Sequence, residues 1–389
     1  MTSTKHNYSQ DKNLRIIFSI TLIAVMGVST ITPVLPDIRA DLNLTNQQTG
    51  LMIVFFSLPG ILFTPLLGIL ADRTSRKIVL IPSLIVFALA GFVIFFLRDF
   101  GWILFFRILQ GAGASSLGSL NSTLVGDIYQ KEERSKVMGY VAAVLSVGTA
   151  AYPAIGGALA VLGWHFPFLM PLLALPVAWF VFTKLDKPEP KREGAFFSYL
   201  KESFRNIKSL PVIILFVSSF VVFIILFGGY LTYLPLLMND KFQSSSFEIG
   251  LVLTSMSVVT AFTSTMLGRI NRMFSERTII LIGFGAYVIA FSIIPFITHP
   301  LLMILPIIIF GFGHGVNFPS IQSHLTKLAP LKYRGMFMSF NGMVLRIGQT
   351  TGPLIIGAFY LINGHLTAFL GAALLALIMF VFLLFFLKM

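Results

Sequence analysis

The chain of 389 residues contains no cysteine and little charge: 11% of its residues are Asp, Glu, Lys or Arg, and only 15 are acidic. Without cysteine there is no disulfide, thiolate metal ligand or thiol nucleophile to consider. Such a shortage of charge, set against 56% hydrophobic residues, excludes a soluble globular protein of this size. Phosphate-binding loops are also missing. No GxxxxGK[ST] segment occurs, and the run GAGASS at 111–116 has too few correctly spaced glycines, and no preceding strand, for a dinucleotide fingerprint. His6, His165, His299, His324 and His365 fall at or beyond the ends of apolar runs without metal-ligand spacing. These gaps leave no support for a nicotinamide enzyme, an ATP-driven pump or a hydrolase, and no cofactor or metal is expected.

What is present is a succession of apolar stretches of about 20 residues, each long enough to cross a hydrocarbon core of about 30 Å. The predicted spans are Arg15–Pro36, Thr49–Leu70, Ile78–Leu97, Trp102–Val125, Val137–Leu162 and His165–Phe182, then Pro211–Leu237, Ile249–Leu267, Thr278–Ile297, Leu301–Leu325, Gly335–Leu361 and Leu366–Leu387. The first is too long for a signal peptide and lacks a small-residue cleavage site, so it is expected to be retained. An all-α membrane protein of twelve transmembrane helices follows. With both termini cytoplasmic, only Arg39, Arg98 and Lys241 fall outside and only Arg107 and Arg346 fall within the membrane, every other Lys and Arg lying inside. The net charge of +13 therefore reports topology and not a nucleic-acid partner. Residues 184–210 read as a cytoplasmic linker. Within it Phe197, Leu200, Phe204 and Ile207 share a face opposite Lys201, Arg205 and Lys208, as in an interfacial amphipathic helix.

A shift of 200 residues superposes the halves. Arg134, Met138, Val144, Gly148, Pro153 and Gly157 recur as Arg334, Met338, Val344, Gly348, Pro353 and Gly357, and Gly50, Gly68, Gly111 and Gly113 recur 200 residues later. Two six-helix bundles of like topology are expected, 1–183 and 211–389, with substrate bound between them near the midplane and access alternating by rocking. The stretch Arg107–Asn121 carries the most costly residue of the first half, because a fixed charge inside a bilayer is a functional-site hypothesis by default. At about 100° per residue, Arg107, Gln110, Gly111, Ala114, Gly118 and Asn121 share one polar or small face, expected to look onto water or substrate. The alternative is that Arg107 bonds to backbone carbonyls as a structural residue.

Four local patterns resemble those of the major facilitator superfamily, and within it the twelve-helix drug:proton antiporters. Gly68-Ile-Leu-Ala-Asp72-Arg73-Thr-Ser75-Arg76-Lys77 resembles motif A, with Ser75 where glycine is usual; Gly27 through Pro33-Val-Leu-Pro36 resembles the helix-one motif. Arg107-Ile-Leu-Gln110-Gly111-Ala-Gly113-Ala114 resembles motif B, and Gly148-Thr-Ala-Ala-Tyr152-Pro153-Ala-Ile-Gly156-Gly157 resembles the antiporter motif C, with Tyr152 in place of its central glycine. The resemblance implies the major facilitator fold and a secondary transporter of the prokaryotic cell membrane, monomeric, with a small molecule, protons and lipid as partners. It makes Gly68, Asp72, Arg73, Arg76, Asp127, Gly148, Pro153, Gly156 and Gly157 conformational residues. Asp72 is expected to face a helix N-terminus, and Arg73 and Arg76 to seek carboxylates, Asp127 first.

No acid is placed at the midplane. Asp37 stands at the outer end of the first span, serving either interfacial solvation or protonation, and Asp127 at the inner end of the fourth. Glu248, after Ser245 and Ser246, reads as a helix-start residue. His314 occupies the position equivalent to Ala114, which places it on the face of Arg107; it either titrates near neutral pH as a proton carrier or remains a neutral interhelical residue. Arg346 and Gln349 share a stripe with Gly342 and Pro353. Arg107, Gln110, Asn121, His314, Asn317, Arg346 and Gln349 are the expected substrate-binding set, with Asp37, His314 and Asp127 the candidates for proton coupling. Tyr230, Tyr233 and Phe318 are expected along the path. Two functions follow: proton-coupled export of small amphipathic compounds, or carriage of an organic anion, metabolite, siderophore or lipid-like solute by Arg107 and Arg346.

Overall fold

A computed structural model describes residues 11–129, 131–185, 209–329 and 334–386. Most of the expected linker, including its amphipathic segment, lies outside the described residues, as does the side chain of Asp72. Ten helical spans run as α1 Lys12–Asp41, α2 Asn46–Arg73, α3 Arg76–Phe96, α4 Phe100–Ile128, α5 Lys131–Ala160, α6 Phe166–Lys184, α7 Leu210–Phe242, α8 Ser246–Met273, α9 Glu276–Phe296 and α10 Pro300–Leu328. The remaining helical stretch, Arg334–Phe386, is broken where Asn363 (φ −153°, ψ 47°) and Gly364 (φ 62°, ψ −143°) leave helical geometry. It supplies α11 (334–362) and α12 (365–386), so the spans among the described residues number twelve.

The 200-residue shift is visible in the helix boundaries themselves. α2 and α8 begin and end at equivalent residues, and both open with a reciprocal cap. Thr45 Oγ1 accepts from the Gln48 amide while Gln48 Oε1 accepts from the Thr45 amide, and Ser245 and Glu248 repeat this 200 residues later. Glu248 is thus the helix-start residue expected of it. Ser75 and Ser275 likewise cap α3 and α9. The serine that departs from motif A supplies this cap, accepting a hydrogen bond from the Lys77 amide at 3.3 Å.

Two helices of the first half break where the sequence interrupts the ladder. In α1 the regular helix stops at Ser29 and passes through a short tight turn at Thr32–Val34 before resuming at Leu35. Pro33 has no amide to donate, and the Ile31 amide bonds to Val28 O, not to Gly27 O. In α4 the break falls at Ser115–Ser116, where Thr64 of α2 donates to the Ser115 carbonyl at 2.9 Å and Ser116 donates to Ser83 of α3 at 2.8 Å.

One apolar core, from Leu14 to Leu185, stays within the first half. The other fills the second half and continues into the outer ends of the first, taking in Ile31, Val34, Leu35, Ile38, Met52 and Ile53. The halves are therefore fused at the outer face.

Candidate substrate cleft and its gates

The halves meet along two antiparallel seams, α2 against α11 and α5 against α8, which the internal repeat makes equivalent. Outer contacts are close enough to need glycine. A Cβ on Gly250 would lie 2.4 Å from Pro153 O, and one on Gly157 2.3 Å from Ser246 O. Further in, Thr254 donates to Ala150 O at 2.7 Å and Ser257 to Thr149 O at 3.1 Å. On the other seam Gly50 meets Pro353, and deeper in Gly60 lies under the Arg346 side chain, whose Cδ and Nε are 3.0 and 3.1 Å from a Cβ there. At the inner ends the seams part: a Cβ on Gly68, Gly139, Gly268 or Gly342 would meet nothing within 4 Å. An open recess of about 510 Å³ lies on this side, lined by Pro319, Gln322, Ser323, Thr326 and Lys327 of α10. Closed outside and parted inside, the protein is inward-facing.

Polar groups reinforce the outer closure. Ser246 Oγ donates to Asp37 Oδ2 at 2.5 Å and lies 2.8 Å from Pro33 O, tying α8 to α1. Arg39 pairs with Asp240 at 2.5 Å and donates to Asn46 and Asn239, while Asn46 reaches Tyr360 and Asp240 accepts His365 at 2.7 Å. Sequence patterns do not reveal this network. Its only legible trace is that Arg39 and Lys241 are two of three outward cations, and Asp240 adjoins one of them.

Arg107 takes the structural of its two expected roles. It is fully enclosed: Nε donates to Met52 O and Nη1 to Gly27 O, both at 3.0 Å, and Nη1 also to Gln110 Oε1 at 2.8 Å. Nη2 makes no hydrogen bond, and the guanidinium lies over the Phe56 ring, 4.4 Å from Cζ to centroid. Gly27 O is the carbonyl that the break in α1 leaves without Ile31. Arg107 thus seals the interior of the first half. Gln110 is spent on Arg107, and Asn121 is buried, donating to Thr21 at 2.7 Å. Most of the face that was expected to meet substrate packs within the first half, because Gly111 lets α4 approach the Phe56 backbone so closely that a Cβ would sit 1.9 Å from its oxygen; Gly118, past the break in α4, alone of that face lies exposed, with nothing within 4 Å of a Cβ there.

His314 is half-buried on α10 and bonds to a neighbouring helix, as in the interhelical of its two expected roles. Its Nδ1 lies 2.9 Å from the Tyr287 hydroxyl, and its ring stacks on Phe318 at 5.8 Å and contacts Phe310. Tyr287 belongs to α9, whose main packing partners all lie in the second half. Asn317 is buried against Gly283 of the same helix. Tyr230 is buried and donates to Leu253 O, and Tyr233 is buried against Tyr360. Of the expected binding set, Arg346, Gln349 and His314 are half-buried; Arg346 and Gln349 stand on the seam, joined by a 3.1 Å bond from Arg346 Nη1 to Gln349 Oε1.

The conformational candidates divide by position. Gly148 packs on Leu22 and Val25, and Gly156 on the Thr30 backbone, so both hold α5 to α1; Pro153 and Gly157 face α8. Tyr152, the departure from motif C, is buried beside Gly148. At the inner surface Arg76 Nε donates to Asp127 Oδ2 at 3.0 Å, and Arg73 is exposed at the end of α2. The repeat keeps this pair with its signs exchanged: Glu276, equivalent to Arg76, bonds Lys327, equivalent to Asp127, and also His324 at 2.6 Å. The second arrangement agrees with the helix dipoles and the first opposes them. Because the Arg76–Asp127 pair is at the surface, Asp127→Asn is expected to change stability by less than about 1 kcal/mol, measured as thermal midpoint in detergent.

Fold and paired seams define a multi-pass membrane transporter built of two like halves. The family model described as Major Facilitator Superfamily matches residues 17–245 and 227–389, and the chain belongs to that superfamily. It is 26% identical to Multidrug resistance protein 2 of Bacillus subtilis (strain 168), across 93% of this chain and 92% of that one. It is 25% identical to the class C tetracycline resistance protein of Escherichia coli, across 89% and 88%. Among solved structures, a bacterial homolog of the human lysosomal transporter Spinster, inward-facing and occupied, superposes with a TM-score of 0.77 at 16% identity, covering 99% of this chain and 97% of that one. The nucleoside transporter NupG gives 0.78 at 16%, covering 98% and 100%. These likenesses support a plasma-membrane protein of the major facilitator fold.

Proposed function

We propose that the protein, acting as a monomer, exports small amphipathic compounds from the cytoplasm in exchange for entering protons. The observation that carries this reading is the pair of repeat-related seams, sealed outside and parted inside around a cleft, in a chain whose full-length relatives include resistance proteins. Among the proton-coupling candidates, Asp37 has the geometry that coupling requires. Its carboxylate accepts a hydrogen bond from the opposite half, so its protonation state bears on the outer seal. His314 and Asp127 each bond within their own half.

Transport by purified protein in liposomes with an imposed pH gradient tests this reading. Export of an amphipathic dye should rise when the face topologically outside is made acidic, and Asp37→Asn should remove that response while leaving gradient-free exchange. Export that is indifferent to the gradient would refute proton exchange.

A further inference from the structure

The two intramembrane arginines have opposite surroundings. Arg107 is consumed by carbonyls of its own half. Arg346 has a single hydrogen bond among the described residues, from Nη1 to Gln349, and no described carboxylate comes within 4.0 Å of it. Its Nε and Nη2, the side of the guanidinium that presents two parallel donors, have no hydrogen-bond partner there. A charge left in that condition inside a membrane is costly unless a mobile counter-ion visits it.

Its position is equally specific. The repeat equivalent of Arg346 is Ser146, and that of its neighbour across the seam, Gly60, is Thr260. At the equivalent positions of the other seam both hydroxyls bond within their own halves, Ser146 to Ala142 O and Thr260 to Gly311 O, whereas here a long cation lies over a glycine. The side chain of Arg346 occupies the room that Gly60 leaves, seven residues inward of the Pro353–Gly50 contact and four residues outward of Gly342, where α11 is open. The guanidinium therefore stands where closure ends and the cleft begins.

We propose that Arg346 is the docking group for a carboxylate on the transported compound, so that anionic and zwitterionic amphiphiles are taken in preference to cations. This rests on the export reading above and narrows its substrate class. A carboxylate can meet the planar fork with two parallel hydrogen bonds, which an ammonium of equal size cannot do. Gln349 engages the other edge of the guanidinium at Nη1, which leaves Nε and Nη2 for the carboxylate.

The test compares three probes with one ring system, 2-naphthoate, 2-naphthamide and trimethyl(2-naphthyl)ammonium, by binding to purified protein and by flux in liposomes. The naphthoate should bind at least about tenfold more tightly than the amide, the ammonium more weakly than either. In Arg346→Gln the naphthoate advantage should vanish while amide affinity stays, and Arg346→Lys should restore only part of it. Gly60→Val, which intrudes on the guanidinium without removing it, should also reduce the naphthoate-to-amide ratio. Equal affinities in the parent protein, or an unchanged ratio in Arg346→Gln, would overturn the assignment even if the amide is still exported, which leaves the export reading standing. If all three probes bind with the expected order but none moves, the export reading fails instead. Binding is repeated with phosphatidylglycerol added to the detergent: loss of the naphthoate advantage would reassign the fork to a lipid phosphate and overturn a substrate role, whereas an unchanged advantage supports it.

Discussion

Arg107→Met is expected to destabilise the protein by about 3 kcal/mol, seen as a thermal midpoint in detergent lower by on the order of 5 °C. The reason lies in the break of α1. Turning the chain toward Pro33 redirects the Ile31 amide to Val28 and leaves Gly27 O to be satisfied from elsewhere. The Arg107 guanidinium supplies that donor, spans to Met52 O on α2, and is itself stabilised by Gln110 and the Phe56 ring. Methionine fills most of the volume but leaves Gly27 O without a donor in a dry interior, a cost of about 1–3 kcal/mol for that group alone. Lysine should not rescue, because one ammonium cannot reach two carbonyls on different helices with the fork geometry of a guanidinium. The folded fraction of Arg107→Met should bind 2-naphthamide with parental affinity. A large fall in affinity without a fall in thermal midpoint would return Arg107 to the binding site.

Gly250→Val should abolish transport almost completely while leaving the separate halves folded. In the sealed outer face a Cβ at this position would lie 2.4 Å from Pro153 O and 3.2 Å from Ala154 Cα, and backbone cannot yield as a flexible side chain can. The substitution therefore acts against the inward-facing state and has no matching cost where α5 and α8 separate, so the population moves toward an outward-open state. The lack of native cysteine makes this directly measurable. A single Ser244→Cys reporter, 3% exposed beside the outer start of α8, should react slowly with a membrane-impermeant maleimide added outside, and about tenfold or more faster when combined with Gly250→Val. Equal labelling rates would show that the α5–α8 contact does not hold the outer gate.

Much of the architecture was legible in the sequence because it rests on local and periodic properties. Apolar run lengths set the spans, the distribution of Lys and Arg set the orientation, and the 200-residue repeat extended to the caps Thr45–Gln48 and Ser245–Glu248. The site was read less well. Helical periodicity correctly grouped Arg107, Gln110, Gly111 and Ala114 on one face, but a polar and small face has two uses in a membrane protein, lining water or allowing close helix packing. A helical wheel does not contain the neighbour that decides between them. For His314 the repeat fixed the position on α10, and its contact with Tyr287 of α9 agrees with the interhelical of the two roles that the sequence left open.

That this chain has twelve helices in two like halves, with cytoplasmic termini, follows from hydrophobic length and charge asymmetry, which are properties of segments. Which of the two intramembrane arginines is spent on the fold does not follow from segment properties; it depends on how the helices pack. Arg107 meets two carbonyls that lie 55 and 80 residues before it, while Arg346 meets a glycine across the seam and keeps its fork unpaired among the described residues. That difference is one of long-range packing, because a guanidinium buried in lipid must be solvated by whatever backbone or ligand the fold brings to it.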